Sequence, residues 1–390
     1  MSKKNITHLL GEWEGYRTGT IQRFAPGEKG ECAEVWVELL PIKRRRMKCS
    51  GCGRLVSSQH DITQRWVRDL PILDAITRLL VWRRRVRCPS CGPKLEEISW
   101  LGKYARATQR MIESVGRLCQ VASVKHVAEF FDLSWWAVKA MDKQFLTEKL
   151  GEIDLSGIEV IAMDEFAIQK GHRYATVIVE PHIKQVLWVG RGRSRESIRP
   201  FFQLLGKQGC ERLKAVAMDM NGAYEAEVKA NCPNAEIVYD LFHVVAKYGR
   251  EVVDRVRRDE ARKAEEKEDQ KLIKGTRWLL LKNKDNIKRP EDQVRLEDLL
   301  AVNRNLMVVY VLKEDLKRLW QYKYPKAALR FWREWNRRAM RSGIEPLRRF
   351  TQKLRPYIPG ILSHCRYQLH TSLLEGINNK IKVIKRMAYG

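Results

Sequence analysis

Acidic residues are scarce in this 390-residue sequence, in which 47 Asp and Glu stand against 74 Lys and Arg, a formal net charge of +27. This shortage excludes an acidic binding protein and indicates a polyanionic partner. No window approaches about eighteen uncharged apolar residues, so no membrane-spanning helix and no membrane partner are expected. The first residues lack the apolar stretch and cleavage site of a signal peptide, which predicts a cytoplasmic protein whose nine cysteines are reduced.

Two segments carry the whole positive excess. Residues 41–110 hold 17 basic and 5 acidic side chains, residues 316–390 hold 18 and 3, and the rest of the chain is balanced. Lys and Arg bind phosphates with release of counterions, so both segments are predicted to face nucleic acid. A generic basic surface that aids solubility is the alternative. Hydrophobic residues make up 44% of the chain, enough for the cores of two or three domains.

Two Cys-x-x-Cys pairs predict a structural zinc site. Cys49 and Cys52 form the first pair, Cys88 and Cys91 form the second, and four thiolates complete a tetrahedral Zn²⁺ site. The long stretch between the pairs predicts an insert with its own structure. His60 is an alternative ligand but is expected on the surface, and a redox Cys-x-x-Cys motif would not require a second pair.

Arginine is dense beside both cysteine pairs. Arg44 and Arg45 precede the first pair, while Arg84 and Arg85 belong to the run VWRRRVRC, which is predicted to be a strand that leads into the second pair. We expect these four side chains to contact DNA phosphates. A solvated rim around the zinc module is the alternative.

A helix-turn-helix pattern follows the zinc module. Residues 104–120 are predicted to be helical, and Val124 to Phe131 form a short amphipathic helix that ends in a tight turn. Ser134 is a predicted N-cap for the next helix, which runs from Trp135 to Phe145. The second helix of such a motif enters a DNA major groove. The side chains expected to reach DNA are Trp136, Lys139 and Lys143.

Two apolar runs end in the same tripeptide, Ala-Met-Asp. The run IEVIAMD ends at Asp164 and LKAVAMD ends at Asp219, and each is typical of a central strand buried on both faces. Further strands are predicted at 174–180, 184–190 and 235–240, and helices at 196–208 and 222–230. The resulting order, β-β-β-α-β-α-β, is that of the RNase H-like fold, whose first and fourth strands are neighbours. We therefore expect Asp164 and Asp219 to lie together.

Two adjacent carboxylates repel each other unless a cation is bound. Oxygen ligands without a nearby thiolate favour Mg²⁺ or Mn²⁺, and two such ions can hold a phosphodiester for in-line attack. A helix N-cap or strand-end role is the alternative for each Asp. Glu375 is the one acid in the predicted C-terminal helix and is a candidate third ligand, unless it simply favours the helix dipole.

Four motifs together resemble the bacterial DDE transposases of the ISL-three insertion-sequence family. They are DEFAIQKGHRY from Asp164, DMNGAY from Asp219, PNAEIVYDLFH from Pro233 and EGINNKIKVIKRMAYG from Glu375. The resemblance runs from about Cys49 to the end of the chain, because that family also has an N-terminal zinc module and a helix-turn-helix. It implies that Asp164, Asp219 and Glu375 are the catalytic triad.

The resemblance also implies a division of the chain. The predicted fold class is α/β: an RNase H-like mixed sheet with a helical insertion, preceded by a zinc-ribbon-like module and a helix-turn-helix domain. The expected parts are a zinc-binding DNA-recognition module at 1–100, the helix-turn-helix at 101–150, the first part of the catalytic core at 151–248, the helical insertion at 249–366 and the C-terminal catalytic helix at 367–390.

Further residues receive expected roles. The positions that match the family motif DLFH, Asp240 and His243, are candidates for groups behind the metal ligands or for an auxiliary metal ligand, unless they merely end a strand. Trp332 and Trp335 are expected to pack in a core, with stacking on a flipped base as the alternative. Basic residues expected to hold phosphates near the metals are Lys170, Arg173, Lys382 and Arg386.

The predicted function is metal-dependent transposition of an insertion sequence. The protein would bind double-stranded DNA at the element's inverted repeats, nick it with water, and join the released 3′-OH to target DNA. Paired ends imply a homodimer or higher oligomer, associated with the bacterial nucleoid. The alternatives are a non-catalytic DNA-binding regulator, an RNase H-like nuclease without strand transfer, and a truncated or decayed, inactive transposase copy.

Overall fold

A computed structural model of the chain describes residues 13–26, 32–169, 171, 173–282, 286–369 and 372–389. The chain divides into two compact units. One holds the residues up to Glu152 together with the end of the chain from Lys380, and the other runs from Ile153 to Asn379. No helix in the described part of the chain is long and apolar enough to span a membrane.

The first unit begins with a mixed β-sheet. The strands of this unit are β1 (Tyr16–Phe24), β2 (Glu34–Pro41), β3 (Met47–Lys48), β4 (Leu55–Val56), β5 (Gln59–Ile72), β6 (Ala75–Cys88) and β7 (Gly92–Leu95). The main sheet has the order β1-β2-β6-β5, with β7 paired to β6, and β3 and β4 form a separate hairpin. The β2–β6 pair is parallel and the other pairs are antiparallel. The strand predicted to lead into the second cysteine pair is the end of β6.

Three helices follow in the same unit. They are α1 (Gln109–Cys119), α2 (Val124–Phe131) and α3 (Trp135–Leu150). Each begins at a hydroxyl N-cap, and the Ser134 oxygen accepts a hydrogen bond from the backbone N–H of Ala137, as predicted. The turn between α2 and α3 is made by Asp132 in the left-handed region, at φ 49°. This short helix, turn and longer helix confirm the predicted motif.

The second unit contains a five-stranded sheet flanked by helices. Its first elements are β8 (Val160–Gln169), β9 (Arg173–Glu180), β10 (Gln185–Arg191), α4 (Arg195–Arg212), β11 (Ala215–Met218), α5 (Gly222–Asn231) and β12 (Glu236–Tyr239). The strand order is β10-β9-β8-β11-β12. The first three strands are antiparallel, and β11 lies parallel to both β8 and β12. The RNase H-like prediction is therefore confirmed, including the pairing of the first and fourth strands.

Helices make up the region that follows β12. They are α6 (Leu241–Tyr248), a π-helical turn (Gly249–Val253), α7 (Asp254–Lys263), α8 (Lys267–Gly275), α9 (Arg277–Leu281), α10 (Pro290–Val302), α11 (Arg304–Arg318), a 3₁₀ turn (Leu319–Gln321), α12 (Pro325–Arg341), α13 (Glu345–Leu354), a second 3₁₀ turn (Arg355–Tyr357) and α14 (Ile358–Ser363). The last helix is α15 (Ser372–Tyr389). This agrees with the helical insertion of the predicted fold.

Strand β8 is buried on both faces, as its apolar run predicts. Ile161 and Met163 face a large core shared with the helices, while Val160 and Ala162 face a smaller cluster on the other side. Leu374 of α15 packs into that second cluster and is 1% exposed. The start of α15 is thus fixed against the central strands of the sheet.

Candidate active site and DNA-binding modules

Asp164 on β8 and Asp219, the residue after β11, lie at neighbouring positions of two adjacent parallel strands. The register pairs Ala217 of β11 with Ala162 of β8, and each aspartate is two residues further along the chain, Asp164 within β8 and Asp219 directly after the end of β11. Side chains two residues apart on a strand share a face, so the two carboxyl groups project from the same region of the sheet. The sequence prediction that strand adjacency brings these residues together is in accord with this register.

The two aspartates are held in a poorly solvated environment. Burial raises the pKa of Asp164. Burial also raises the pKa of Asp219 to about 6, and the negative charges of Glu165 and Asp164 add to the rise. One carboxylate oxygen of Asp219, Oδ1, is buried and has no hydrogen-bond partner among the described residues. A divalent cation would relieve the repulsion and occupy that oxygen, and this all-oxygen pair suits Mg²⁺ or Mn²⁺.

His243 lies close enough to act on both aspartates. Its positive form lowers the pKa of Asp164 and of Asp219, which partly opposes the effect of burial. Its Nε2 is 3.9 Å from Oδ2 of Asp240, one helical turn earlier. The residues of the DLFH motif therefore adjoin the carboxylate pair, and their direct role remains a proposal.

A second ion pair borders the site. Glu165 accepts a hydrogen bond of 2.9 Å from Nη1 of Arg193, and the Arg193 guanidinium lies over the Tyr174 ring at 4.2 Å. The positive charge of Arg193 lowers the pKa of Asp219. Sequence reasoning did not single out Glu165 or Arg193, because neither residue type nor spacing indicates a pair so far apart in the chain.

The C-terminal helix reaches the site through Asn378. This side chain is 9% exposed, and its Nδ2 donates a 2.7 Å hydrogen bond to Oδ2 of Asp164. Glu375 lies three residues earlier on the same helix, at a spacing that places residues on one face. Its side chain lies outside the described residues, so its contact with the aspartates stays a prediction.

Three of the four residues predicted to bind phosphates near the metals lie in the described part of the chain. Lys170 lies outside the described residues. Arg173 is exposed at the start of β9 and donates to Oε1 of Gln169 at 2.9 Å. Lys382 and Arg386 are exposed on α15. Their contact with DNA remains a proposal.

The four cysteines converge as predicted. Their Sγ atoms all lie within 4.8 Å of one another, and the Cys52 and Cys88 sulfurs are 3.6 Å apart. A tetrahedral zinc site with bonds of about 2.3 Å needs sulfurs about 3.8 Å apart. Hydrogen bonds from the Ser90 and Cys91 amides lower the pKa of Cys88 to about 7. This geometry supports structural zinc.

His60 lies apart from the cysteine cluster. It is exposed and its Nδ1 is 2.9 Å from Oδ2 of Asp61. The expectation of a surface histidine is therefore correct.

The predicted DNA contact of one of the four arginines beside the cysteine pairs is corrected by the structure. Arg84 is 5% exposed, and its Nε and Nη2 form a two-pronged ion pair with Glu96 at 2.8 and 2.7 Å. A buried guanidinium in such a pair cannot also reach a phosphate at the surface, so we remove Arg84 from the DNA-contacting set. Arg44 is exposed, Arg45 pairs with Glu14, and Arg85 pairs with Asp61 at 3.3 Å and is partly exposed.

The candidate recognition helix presents the predicted side chains. Trp136 is 72% exposed near the start of α3, and Lys139 lies over the Trp135 and Trp136 rings at 4.7 and 5.4 Å. Lys143 is exposed one turn later.

The two tryptophans of the helical region are core residues. Trp332 and Trp335 are 6% and 1% exposed, their rings stack at 5.3 Å, and Trp335 Nε1 donates to the Leu312 carbonyl. The expected core packing is confirmed, and stacking on a flipped base is not available to these buried rings.

An RNase H-like sheet with paired aspartates, a four-cysteine cluster and a helix-turn-helix together define a transposase. Three family models match the chain in this order: the zinc finger of the IS204, IS1001, IS1096 and IS1165 transposases at 45–91, the helix-turn-helix domain of transposase family ISL3 at 96–146, and the ISL3 transposase domain at 161–390. The chain belongs to the ISL3 family of transposases.

Curated relatives agree with this assignment. The chain is similar to the transposase for insertion sequence element IS1001 of Bordetella parapertussis, with 48% identity over all of this chain and 95% of the relative. It is also similar to the transposase for insertion sequence element IS1557 of Mycobacterium tuberculosis, with 26% identity over 94% of this chain and 87% of the relative. The family identifies the chain as a DNA-cutting enzyme.

Proposed function

We propose that this transposase binds the inverted-repeat ends of its insertion sequence and catalyses both DNA cleavage and strand transfer. The observation that carries the proposal is the pair of partly buried aspartates on β8 and just after β11, with an unpartnered carboxylate oxygen on Asp219. Such an arrangement costs free energy in an empty protein and is useful when divalent cations bind there.

The proposed metal ligands are Asp164, Asp219 and Glu375, with Mg²⁺ or Mn²⁺ as the ion. Bound at these carboxylates, two such ions would supply the Lewis acidity that activates the attacking oxygen and stabilises the leaving one. Asn378 donates a hydrogen bond to Oδ2 of Asp164, and this bond fixes the orientation of the carboxylate. Asp240 and His243 would act behind these ligands, with His243 offsetting their negative charge.

The two proposed chemical steps use the same site. In the first, the oxygen of water forms a bond to phosphorus at the element end, and the 3′ oxygen leaves and takes a proton as a 3′-OH. In the second, that 3′ oxygen attacks a phosphodiester of target DNA, whose own 3′ oxygen leaves. Neither step forms a bond between DNA and protein. Arg173, Lys382 and Arg386, together with Lys170, would hold the phosphates.

The N-terminal modules would supply recognition of the ends. In this proposal the module at 1–100 contacts phosphates through Arg44, Arg45 and Arg85, and the helix-turn-helix at 101–150 places Trp136, Lys139 and Lys143 in the major groove. The catalytic core would comprise 151–248 and 367–390, around an insertion at 249–366. Two ends must be joined together, which implies at least a dimer on DNA.

A cleavage and strand-transfer assay tests this proposal. The purified full chain would be incubated with labelled element-end DNA and Mg²⁺ or Mn²⁺, beside Asp164→Ala and Asp219→Ala. The matched control is Glu159→Gln, which removes an exposed carboxylate paired with Lys214 just before β8. We expect metal-dependent nicking and joined product from the wild type and control, and a loss of at least about a thousand-fold in both aspartate variants.

Other outcomes identify the alternatives. Specific binding to the ends without chemistry in either metal would favour a DNA-binding regulator or an inactive copy. Cleaved ends without joined product would indicate a nuclease.

A further inference from the structure

One face of the N-terminal sheet is open and aromatic. Along β2, Val35, Val37 and Leu39 are buried in the core, while the alternate residues point away from it. On this second face the Trp36 ring lies 4.6 Å from that of Phe24 and 4.9 Å from that of Trp66. Phe24 and Trp66 are 41% and 45% exposed. The Trp36 ring is inclined to the Phe24 ring by 53° and to the Trp66 ring by 61°. Three aromatic side chains from three strands thus form a half-exposed platform whose rings are not coplanar and offer separate faces.

The two carboxylates on this face are already engaged. Glu34 accepts hydrogen bonds from the indole of Trp36 at 2.6 Å and from Arg78 at 2.8 Å. Glu38 accepts one from the Trp82 indole at 2.9 Å. Arg78 offsets the charge of Glu34, and the two indole bonds fix the Trp36 and Trp82 rings at their edges. A ring fixed at its edge loses little conformational entropy when a flat group stacks on its face.

A basic pocket of about 500 Å³ opens on the same face of the sheet. Strand residues Leu40, Ile62 and Trp82 form part of its wall, and the basic residues around it are Arg17, Lys43, Arg44, Arg45, Arg46 and Arg84. Arg17, Lys43, Arg44 and Arg46 form no ion pair with a described carboxylate, whereas Arg45 and Arg84 do. The pocket therefore combines an apolar wall with cations available to an anion.

The sheet also fixes the separation of pocket and platform. Arg78 of β6 pairs with Trp36, and Trp82 lies four residues further on the same strand. At about 3.3 Å per residue this is about 13 Å, which exceeds the space of one nucleotide. An aromatic platform and a basic pocket separated by this distance suit a polyanion with exposed aromatic rings.

We infer that this face binds unpaired DNA, with bases stacked on Phe24, Trp36 and Trp66 and the backbone led into the basic pocket. In a duplex the base faces are covered by their neighbours and cannot meet a ring, so the ligand is single-stranded DNA or a separated strand end. This site does not depend on the metal ligands, because it requires only that the protein meets DNA with unpaired bases.

The test is binding of a labelled oligo-dT by the full-length protein, compared with a duplex of the same length and measured by fluorescence anisotropy without divalent cations. Trp66→Ala should weaken oligo-dT binding about ten-fold, in line with the loss of one stacked base, and leave duplex binding within about two-fold. Trp66→Phe should restore most of the affinity, since a smaller ring still stacks.

A second variant examines the pocket. Lys43→Ala combined with Arg46→Ala should reduce the slope of log affinity for oligo-dT against log salt by about 1.4, because each lost phosphate contact removes about 0.7. For Trp66→Ala the matched control is Trp278→Ala, at an exposed tryptophan in the other unit. Zinc content and the unfolding midpoint establish that each variant is folded.

Several results would overturn the inference. Unchanged oligo-dT affinity in both N-terminal variants would do so, as would an equal loss for oligo-dT and duplex. If Trp66→Ala changed the oligomeric state of the DNA-free protein, measured as its mass in solution, the face would instead bind a second copy of the chain. Asp164→Ala should keep full oligo-dT binding, so failure of the catalytic proposal can be distinguished from failure of this one.

Discussion

At the residue scale, Asp219 links stability to pH. Its pKa in the folded, metal-free protein is about 6 against an ordinary value of 3.8. Between about pH 4 and pH 6 the folded state therefore keeps a proton that the unfolded chain has lost. The free energy of unfolding falls as the pH rises through this window, and the loss is complete above it.

Asp219→Asn should remove this loss. In the absence of divalent metal at pH 8, we expect the variant to be more stable than the wild type by about 1–2 kcal/mol, and the difference should nearly vanish at pH 4. Urea unfolding at both pH values measures it. Asp298→Asn, an exposed substitution on α10, should show no such difference. If the variant were less stable at pH 8 than at pH 4, relative to the wild type, burial would not be raising the pKa of Asp219.

Single residues also mark the limit of what the sequence predicts. Arg83, Arg84 and Arg85 are consecutive, yet the first donates to the Lys103 carbonyl at 2.6 Å, the second pairs with Glu96, and the third pairs with Asp61. Their partners lie many residues away and become neighbours only in the folded sheet. The bond from Asn378 to Asp164 was missed for the same reason, since it spans 214 residues.

At the scale of elements, the four-cysteine site holds the β3–β4 hairpin to the end of β6. Cys49 and Cys88 are buried with Met47, Val56 and Val86 in one small cluster. A cluster this small gains little free energy from apolar burial, and zinc binding would add to it.

Cys49→Ser should therefore lower both zinc content and stability. We expect the bound zinc to fall from one ion per chain to nearly none, and the unfolding midpoint to fall by roughly 10 °C. Elemental analysis and calorimetry measure these changes. Cys32→Ser, at an exposed cysteine outside the cluster, is the control and should alter neither. Full stability without zinc would mean that the thiols are not a metal site.

The elements that were predicted well are those with a strong local signal. Apolar runs predicted the five strands of the second unit's sheet, apolar periodicity predicted α2, and the N-cap Ser134 predicted the start of α3. The sequence predicted only the end of β6 from the N-terminal sheet. On β2, the face opposite the core carries Glu34, Trp36 and Glu38, so it mixes a large aromatic ring with acids that are hydrogen-bonded to indoles rather than solvated. Its pairing, including the parallel β2–β6 contact, is set by contacts distant in sequence.

At the scale of the whole molecule, the proposed joining of two element ends requires that two chains act together. We expect a mixture of wild-type protein with Asp164→Ala protein to lose strand transfer faster than the wild-type fraction falls. At equal amounts, about a quarter of randomly formed dimers contain two intact sites. A strand-transfer assay across mixing ratios measures this. Activity strictly proportional to the wild-type fraction would mean that each chain works independently.

The hydrogen bond between Asn378 and Asp164 also has a consequence during synthesis of the chain on the ribosome. The segments that carry both aspartates leave the ribosome early, while the helix that donates the hydrogen bond to Asp164 is made only after the whole helical region. At about 5–20 residues per second, the stretch from Asp240 to Asn378 takes on the order of ten to thirty seconds to synthesise. On the proposed mechanism, a nascent chain near the chromosome cannot cut DNA during that interval.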